Sequence, residues 1–246
     1  LTSFLIGLVI LALAMLSAIE VIQALLFSAH MVQHLLITMV GPPLLVLGNP
    51  LPILMWGLPS SLRHTVGKLL APKASFRRIV RALTQPWIVW ALYVGSLWLW
   101  HVPGAYDAAL RFEVLHVAEH ILFFGTALLF WWHIIHLPPR WHGRLSYGFR
   151  IGYVLAALIP NEILGVTISL INEPIYTYYI SAPRPFNISV LDDQMLGGAI
   201  MWVPGGMMYV IAAVALLAHL MAEEERRTMQ EIEEQLKLAE EKEKAG

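Results

Sequence analysis

Cysteine is absent from all 246 residues. That excludes thiolate zinc sites, iron–sulfur clusters, c-type haem attachment and CxxC copper-chaperone chemistry. Charge is scarce as well. Asp, Glu, Lys and Arg make up 13% of the chain, against roughly a quarter in a soluble domain. Hydrophobic residues reach 58% and the mean hydropathy is +0.65, which is the composition of an integral membrane protein. The chain opens on Leu1 instead of Met, so further N-terminal sequence is expected before it. No cleaved signal peptide is expected, because the first apolar run leads straight into more spans.

Apolar runs long enough to cross a bilayer, about 20 residues each, fall at 3–19, 28–48, 86–102, 115–136, 150–171 and 195–221. The expected fold is therefore an all-α polytopic helix bundle with six spans. A membrane domain covers residues 1–221 and a charged helical tail covers 222–246, with no internal repeat. Gly41-Pro42-Pro43 should break or kink the second span, which membrane helices accept when neighbours satisfy the freed backbone groups.

The net charge of −1 conceals a strong segregation. Arg63, Lys68, Lys73, Arg77, Arg78 and Arg81 share one loop, Arg140, Arg144 and Arg150 another, and further bases lie in the tail. The opposite loops hold only Arg111 and Arg184. The basic loops and the C-terminus are expected to be cytoplasmic, with 103–114 and 172–194 facing outward. Within the basic loop, Phe76, Ile79, Val80 and Leu83 follow helical spacing between arginines, as in an amphipathic helix on an anionic leaflet. No nucleic-acid partner is expected.

Lysine and arginine alone set this topology, yet it gathers another set of residues. Glu20, Asp107, Glu113, Glu119, Glu173, Asp192 and Asp193 all fall at the outer side, and so do five histidines. His30 and His34 are four apart, His116 and His120 repeat the spacing, and His101 ends another span. Four-residue spacing sets two imidazoles on one helix face. Polar pairs of this kind are costly in a membrane and are common in metal or haem sites. His101 serves equally well as a ligand or as an interfacial anchor before a turn at Pro103.

Asp192 and Asp193 could coordinate a metal or complement the dipole of the last helix. Met195, Met201, Met207 and Met208 read as packing, although thioethers suit Cu(I). His64, His133, His136, His142 and His219 lie toward the cytoplasm and read as structural. Glu162, at mid-membrane, is a functional candidate or a neutral hydrogen-bonded acid. His116-Val117-Ala118-Glu119-His120 also matches HxxEH, the inverted zinc-protease pattern. A membrane zinc protease is therefore a remote alternative, and Glu119 is the better candidate for an acceptor that orients an imidazole. Outward placement, methionine neighbours and the lack of thiolates favour copper. Haem b held by two histidines, in a resident or structural subunit of a respiratory complex, is the competing reading.

Phe27-Ser28-Ala29-His30-Met31-Val32-Gln33-His34-Leu35-Leu36, Gly41-Pro42-Pro43-Leu44-Leu45 and Leu47-Gly48-Asn49-Pro50 resemble the CtaG family of bacterial cytochrome c oxidase assembly factors, the multi-span membrane family. Further matches are Trp100-His101-Val102-Pro103, Tyr106-Asp107-Ala108-Ala109-Leu110, Leu115-His116-Val117-Ala118-Glu119-His120, and Asp193-Gln194-Met195-Leu196-Gly197-Gly198 through Trp202-Val203-Pro204-Gly205-Gly206. The resemblance runs in order over roughly residues 20 to 220. It implies a multi-pass protein of the bacterial plasma membrane, with a seventh, N-terminal span. It also implies a non-enzymatic role in which copper passes to the catalytic subunit of a haem–copper oxidase. The family's signature histidines fall on His30, His34, His101, His116 and His120, and its signature acids on Asp107 and Asp193. The expected ligands are His30, His34, His116 and His120, joined by His101 and Asp193, with Glu119 and Asp107 as supporting groups.

Overall fold

The computed structural model describes residues 1–69, 71, 74–137, 142–143 and 145–245. Pro72, Lys73, Arg140 and Arg144 of the basic loops lie outside the described residues. Among the described residues the regular structure is all helical, with no strand. Five helices are long and apolar enough to cross a membrane, or six if one bent pair counts as a single span.

The first span comprises α1 (Thr2–Leu16) and α2 (Ala18–Ile22). Leu5, Ile6, Leu8, Val9 and Leu13 of α1 are exposed, the arrangement of a peripheral helix facing lipid. The second span starts as α3 (Phe27–Leu35), passes through a π-helical turn (Leu36–Val40) and ends as α4 (Gly41–Leu47). The double proline therefore widens the helix instead of breaking it. Pro42 has no N–H for the carbonyl of Thr38, four residues earlier, and the Trp131 indole donates to that oxygen at 2.9 Å. A side chain of another span thus satisfies the freed group, which is the condition for tolerating proline here.

Beyond α4, short helices α5 (Pro50–Gly57), α6 (Ser60–Leu69) and α7 (Ser75–Leu83) precede the third span. Phe76, Ile79 and Leu83 of α7 are exposed beside its arginines, as an amphipathic surface helix requires. The third span is shorter than the sequence suggests. Helix α8 (Pro86–Trp100) ends before Pro103, and α9 (Pro103–Arg111) leaves it at 77°. Proline holds Val102 extended (φ −64°, ψ 127°) and forces the corner at His101. What reads as an outward loop over 103–114 is largely a helix lying across the end of the bundle, with Tyr106 fully buried beneath it.

The long helices α10 (Glu113–Ile135), α11 (Tyr147–Leu170) and α13 (Val190–Ala245) complete the bundle, and a single turn, α12 (Tyr178–Ser181), lies between the last two. Helix α13 continues from its span into the charged tail without interruption at residue 221. Glycines let α11 and α13 touch along their backbones: a Cβ on Gly198 would lie 2.6 Å from Ser169 N, and one on Gly165 2.9 Å from Trp202 N. Core side chains gather around Tyr93, Phe130, Trp131, Tyr153 and Tyr209 in one half of the bundle. Phe27, Met31, Tyr106, Tyr176, Tyr179 and Met201 form the core of the half that carries the histidines.

Candidate metal centre

Helices α3 and α10 each present a histidine pair to the interior at the α9 end of the bundle. The His30 and His34 rings lie 4.1 Å apart and those of His116 and His120 4.2 Å apart, as one helical turn dictates. The pairs face one another, with 5.4 Å from His30 to His116 and 5.6 Å from His34 to His120. His101, at the α8–α9 corner, reaches within 6.2 Å of His34. Donor atoms of His30, His34, His120 and Glu119 all lie within 4.8 Å of one another. His30 and Glu119 are wholly buried; His34, His101 and His120 nearly so. His116 is only partly buried and forms the open side of the cluster.

Buried polar atoms almost always find a partner. Here Nε2 of all five histidines, Nδ1 of His34 and both oxygens of Glu119 have no hydrogen-bond partner. His34 Nε2 lies 3.7 Å from Glu119 Oε1. A concentration of lone pairs on imidazoles and one carboxylate is the donor set that a first-row metal ion satisfies.

The groups behind the rings fix their free nitrogens. His101 Nδ1 lies 2.7 Å from the Leu97 carbonyl, which only accepts, so Nδ1 carries the proton and Nε2 is a lone pair. His30 is set by a longer chain. Tyr179 donates to the Gln23 carbonyl (2.9 Å), the Tyr106 hydroxyl lies 3.2 Å from that of Tyr179, and His30 Nδ1 lies 2.7 Å from Tyr106. His30 Nε2 has no acceptor, so only one polarity gives every proton of the chain an acceptor. His30 Nδ1–H donates to Tyr106, Tyr106 to Tyr179, and Tyr179 to the carbonyl, which frees His30 Nε2 to coordinate.

The expected acids take different places. Both oxygens of Asp193 lie outside the histidine cluster, occupied by the amides of Phe27 (2.8 Å) and Ser28 (3.0 Å) and by the Ser28 hydroxyl (2.5 Å), with Arg184 at 3.6 Å. A carboxylate from the start of α13 thus caps the N-terminus of α3, because exposed helix amides attract an anion. Asp192 instead pairs with Ser189 at the start of its own helix. Asp107 accepts from the Thr177 amide and hydroxyl and from the Tyr178 amide. It therefore holds the short segment that brings Tyr179 to His30, and does not touch an imidazole itself. Glu119 sits among the donor atoms instead of behind them. Glu162 lies over Gly206, apart from the histidines.

Sequence reasoning gave no role to Tyr106 or Tyr179. Gln33 Nε2 donates to the Ala14 carbonyl (2.9 Å) and to Glu20, tying α3 to the first span. Tyr106 stands beside Asp107 in a quoted motif, but no spacing rule connects it to His30, 76 residues away. Among the histidines outside the cluster, His133 lies 2.9 Å from the Thr84 carbonyl and His142 3.1 Å from the Thr84 hydroxyl, as hydrogen-bonded structural groups do.

Comparison with known proteins adds an independent line. Uncharacterized proteins of Mycobacterium bovis and Mycobacterium tuberculosis are each 29% identical over 219 residues, covering 86% of this chain and 32% of theirs. One of Mycobacterium leprae is 27% identical over 237 residues, covering 94% of this chain and 35% of its own. The chain thus spans about a third of the length of these relatives. No solved structure matches it. The family model of the cytochrome c oxidase caa3 assembly factor matches residues 1–223, which include every helix that carries a cluster histidine. The histidine-bearing bundle and this match agree, and the chain belongs to the family of cytochrome c oxidase caa3 assembly factors.

Proposed function

We propose that this protein binds copper at the extracytoplasmic face of the bacterial plasma membrane and delivers it to the catalytic subunit of a haem–copper oxidase. The observation that carries the reading is the buried convergence of His30, His34, His120 and Glu119, their donor atoms directed at one another without partners. The skew of lysine and arginine supports the outward placement. Delivery requires ligand exchange and no catalytic turnover, and partly buried His116 stands where an ion would enter or leave. Copper is favoured as the cargo because the oxidase's binuclear centre needs it and a mixed imidazole–carboxylate set accepts it. The space beside the histidines supports an ion over haem b: the adjoining cavity is about 40 Å³, whereas small-molecule sites run to roughly 300–1,000 Å³.

The test is metal content of the purified protein by mass spectrometry with its visible spectrum, together with copper in oxidase from the same cells. Near-stoichiometric copper without a Soret band is expected. The double variant His30→Ala/His120→Ala should insert normally, lose the ion held by the histidine cluster and leave the oxidase copper-deficient. Unchanged oxidase copper in that variant would sink the reading, while haem or zinc in the wild type would favour a respiratory subunit or the HxxEH protease.

A milder change tests the hydrogen-bond chain. Tyr106→Phe removes the nearer acceptor of His30 Nδ1, leaving the Tyr179 hydroxyl at 3.3 Å, and should weaken metal retention roughly 10- to 100-fold, the usual effect of losing a partner behind a ligand. Competition with a chelator reads this out, and unchanged retention would show that the chain does not set His30.

A further inference from the structure

Directly beneath the histidines lies a cavity of about 40 Å³, roofed by His34 and His101 and lined by Met31, Met39 and Met201. The three methionines come from α3, the π-helical turn and α13, and all are buried. The geometry points to a second ion site here, a thioether chamber for a soft monovalent cation such as Cu(I). It would receive the ion from the histidine cluster and hold it deeper in the bilayer. This inference rests on the copper reading above and deepens it.

The chamber follows from the local chemistry of the second span. Met39 lies five residues beyond His34, about 7 Å along a helix of ordinary rise. It sits in the π-helical turn that the double proline imposes, and such turns commonly occur at functional sites. Tyr93 O–H donates to Met39 Sδ at 3.6 Å, and Asn161 donates to the Met201 carbonyl at 3.1 Å, so two of the three elements are held by buried hydrogen bonds.

The lining has thioethers, imidazoles and neutral polar groups but no carboxylate. A divalent ion would keep its full charge there, uncompensated in low dielectric. A monovalent ion faces a smaller penalty, and thioether sulfur is a preferred donor for Cu(I). His34 has both ring nitrogens without partners, and it belongs both to the cluster and to the chamber roof. Transfer is ligand exchange: a methionine sulfur–copper bond forms as an imidazole nitrogen–copper bond breaks. Copper stays Cu(I), so no electron and no reductant enter the step.

The experiment loads the full-length purified protein with excess Cu(I) under anaerobic reducing conditions. After desalting, copper per chain is measured, and X-ray absorption identifies the atoms bound to it. Wild type should retain two ions with sulfur in the shell. Met31→Leu/Met39→Leu/Met201→Leu keeps side-chain volume, so the bundle should stand, but copper should halve to one ion bound by nitrogen and oxygen alone. His30→Ala/His120→Ala should keep one sulfur-bound ion. A wild type with one ion and no sulfur, or a triple variant that binds as much copper as wild type, would overturn the chamber and leave the histidine reading intact. A sulfur-bound ion alone, unaffected by loss of the histidines, would support the chamber and overturn the histidine reading. No copper in any variant would overturn both.

Discussion

Asp193→Ala is expected to lower stability by about 3–5 kcal/mol, the cost of removing one member of a buried, hydrogen-bonded charge set. The carboxylate is 0% exposed and serves four groups at once: the Phe27 and Ser28 amides, the Ser28 hydroxyl and Arg184. Alanine leaves the first amides of α3 unsatisfied in the interior and leaves the guanidinium without its counter-charge. Asp193→Asn keeps one acceptor oxygen and should lose less. Helix α3 carries His30 and His34, so its N-terminus fixes where both rings point. Thermal unfolding in detergent should rank wild type above Asn and Asn above Ala, and metal retention should fall in the same order. A melting temperature for Asp193→Ala equal to that of wild type would refute the capping role.

Gly198→Val should be more damaging to assembly of the bundle. Its Cβ would lie 2.6 Å from Ser169 N and 2.8 Å from the Gly165 carbonyl, both backbone atoms that no side-chain rotation can move aside. Helices α11 and α13 would have to separate, and the expected cost is about 3 kcal/mol or more, at the upper end for overpacking. In a membrane little else draws two helices together, because lipid is as apolar as the side chains. Membrane yield and monodispersity in size-exclusion chromatography should collapse. Gly125→Ala on α10 is the control. A Cβ there meets nothing within 4 Å, so yield should be unchanged or slightly raised by better helix propensity. Equal yields for the two variants would contradict the close approach of α11 and α13.

The sequence by itself determined the membrane character, most of the spans and the gathering of histidines at one end. These depend on local quantities: apolar run length, segregation of bases, and four-residue spacing on a helix. His30 with His34, and His116 with His120, could each be assigned to one helix face because helical periodicity acts within a few residues, and the segregation of bases put both pairs at the same end. Pro103 likewise announced the end of α8, since proline restricts the residue before it.

Only the tertiary structure decided what each acid does. Asp193 and Glu119 are both acids, yet one caps a helix 165 residues away and the other joins the donor atoms. That difference comes from how α13 and α10 sit against α3, and no spacing rule reports it. The Tyr106–Tyr179 chain behind His30 likewise depends on α9 folding back at 77° and on Asp107 holding the segment that carries Tyr179. The double proline shows both levels at once. Its sequence removes a hydrogen bond, and whether the helix breaks or widens depends on Trp131 standing within 2.9 Å of the freed carbonyl.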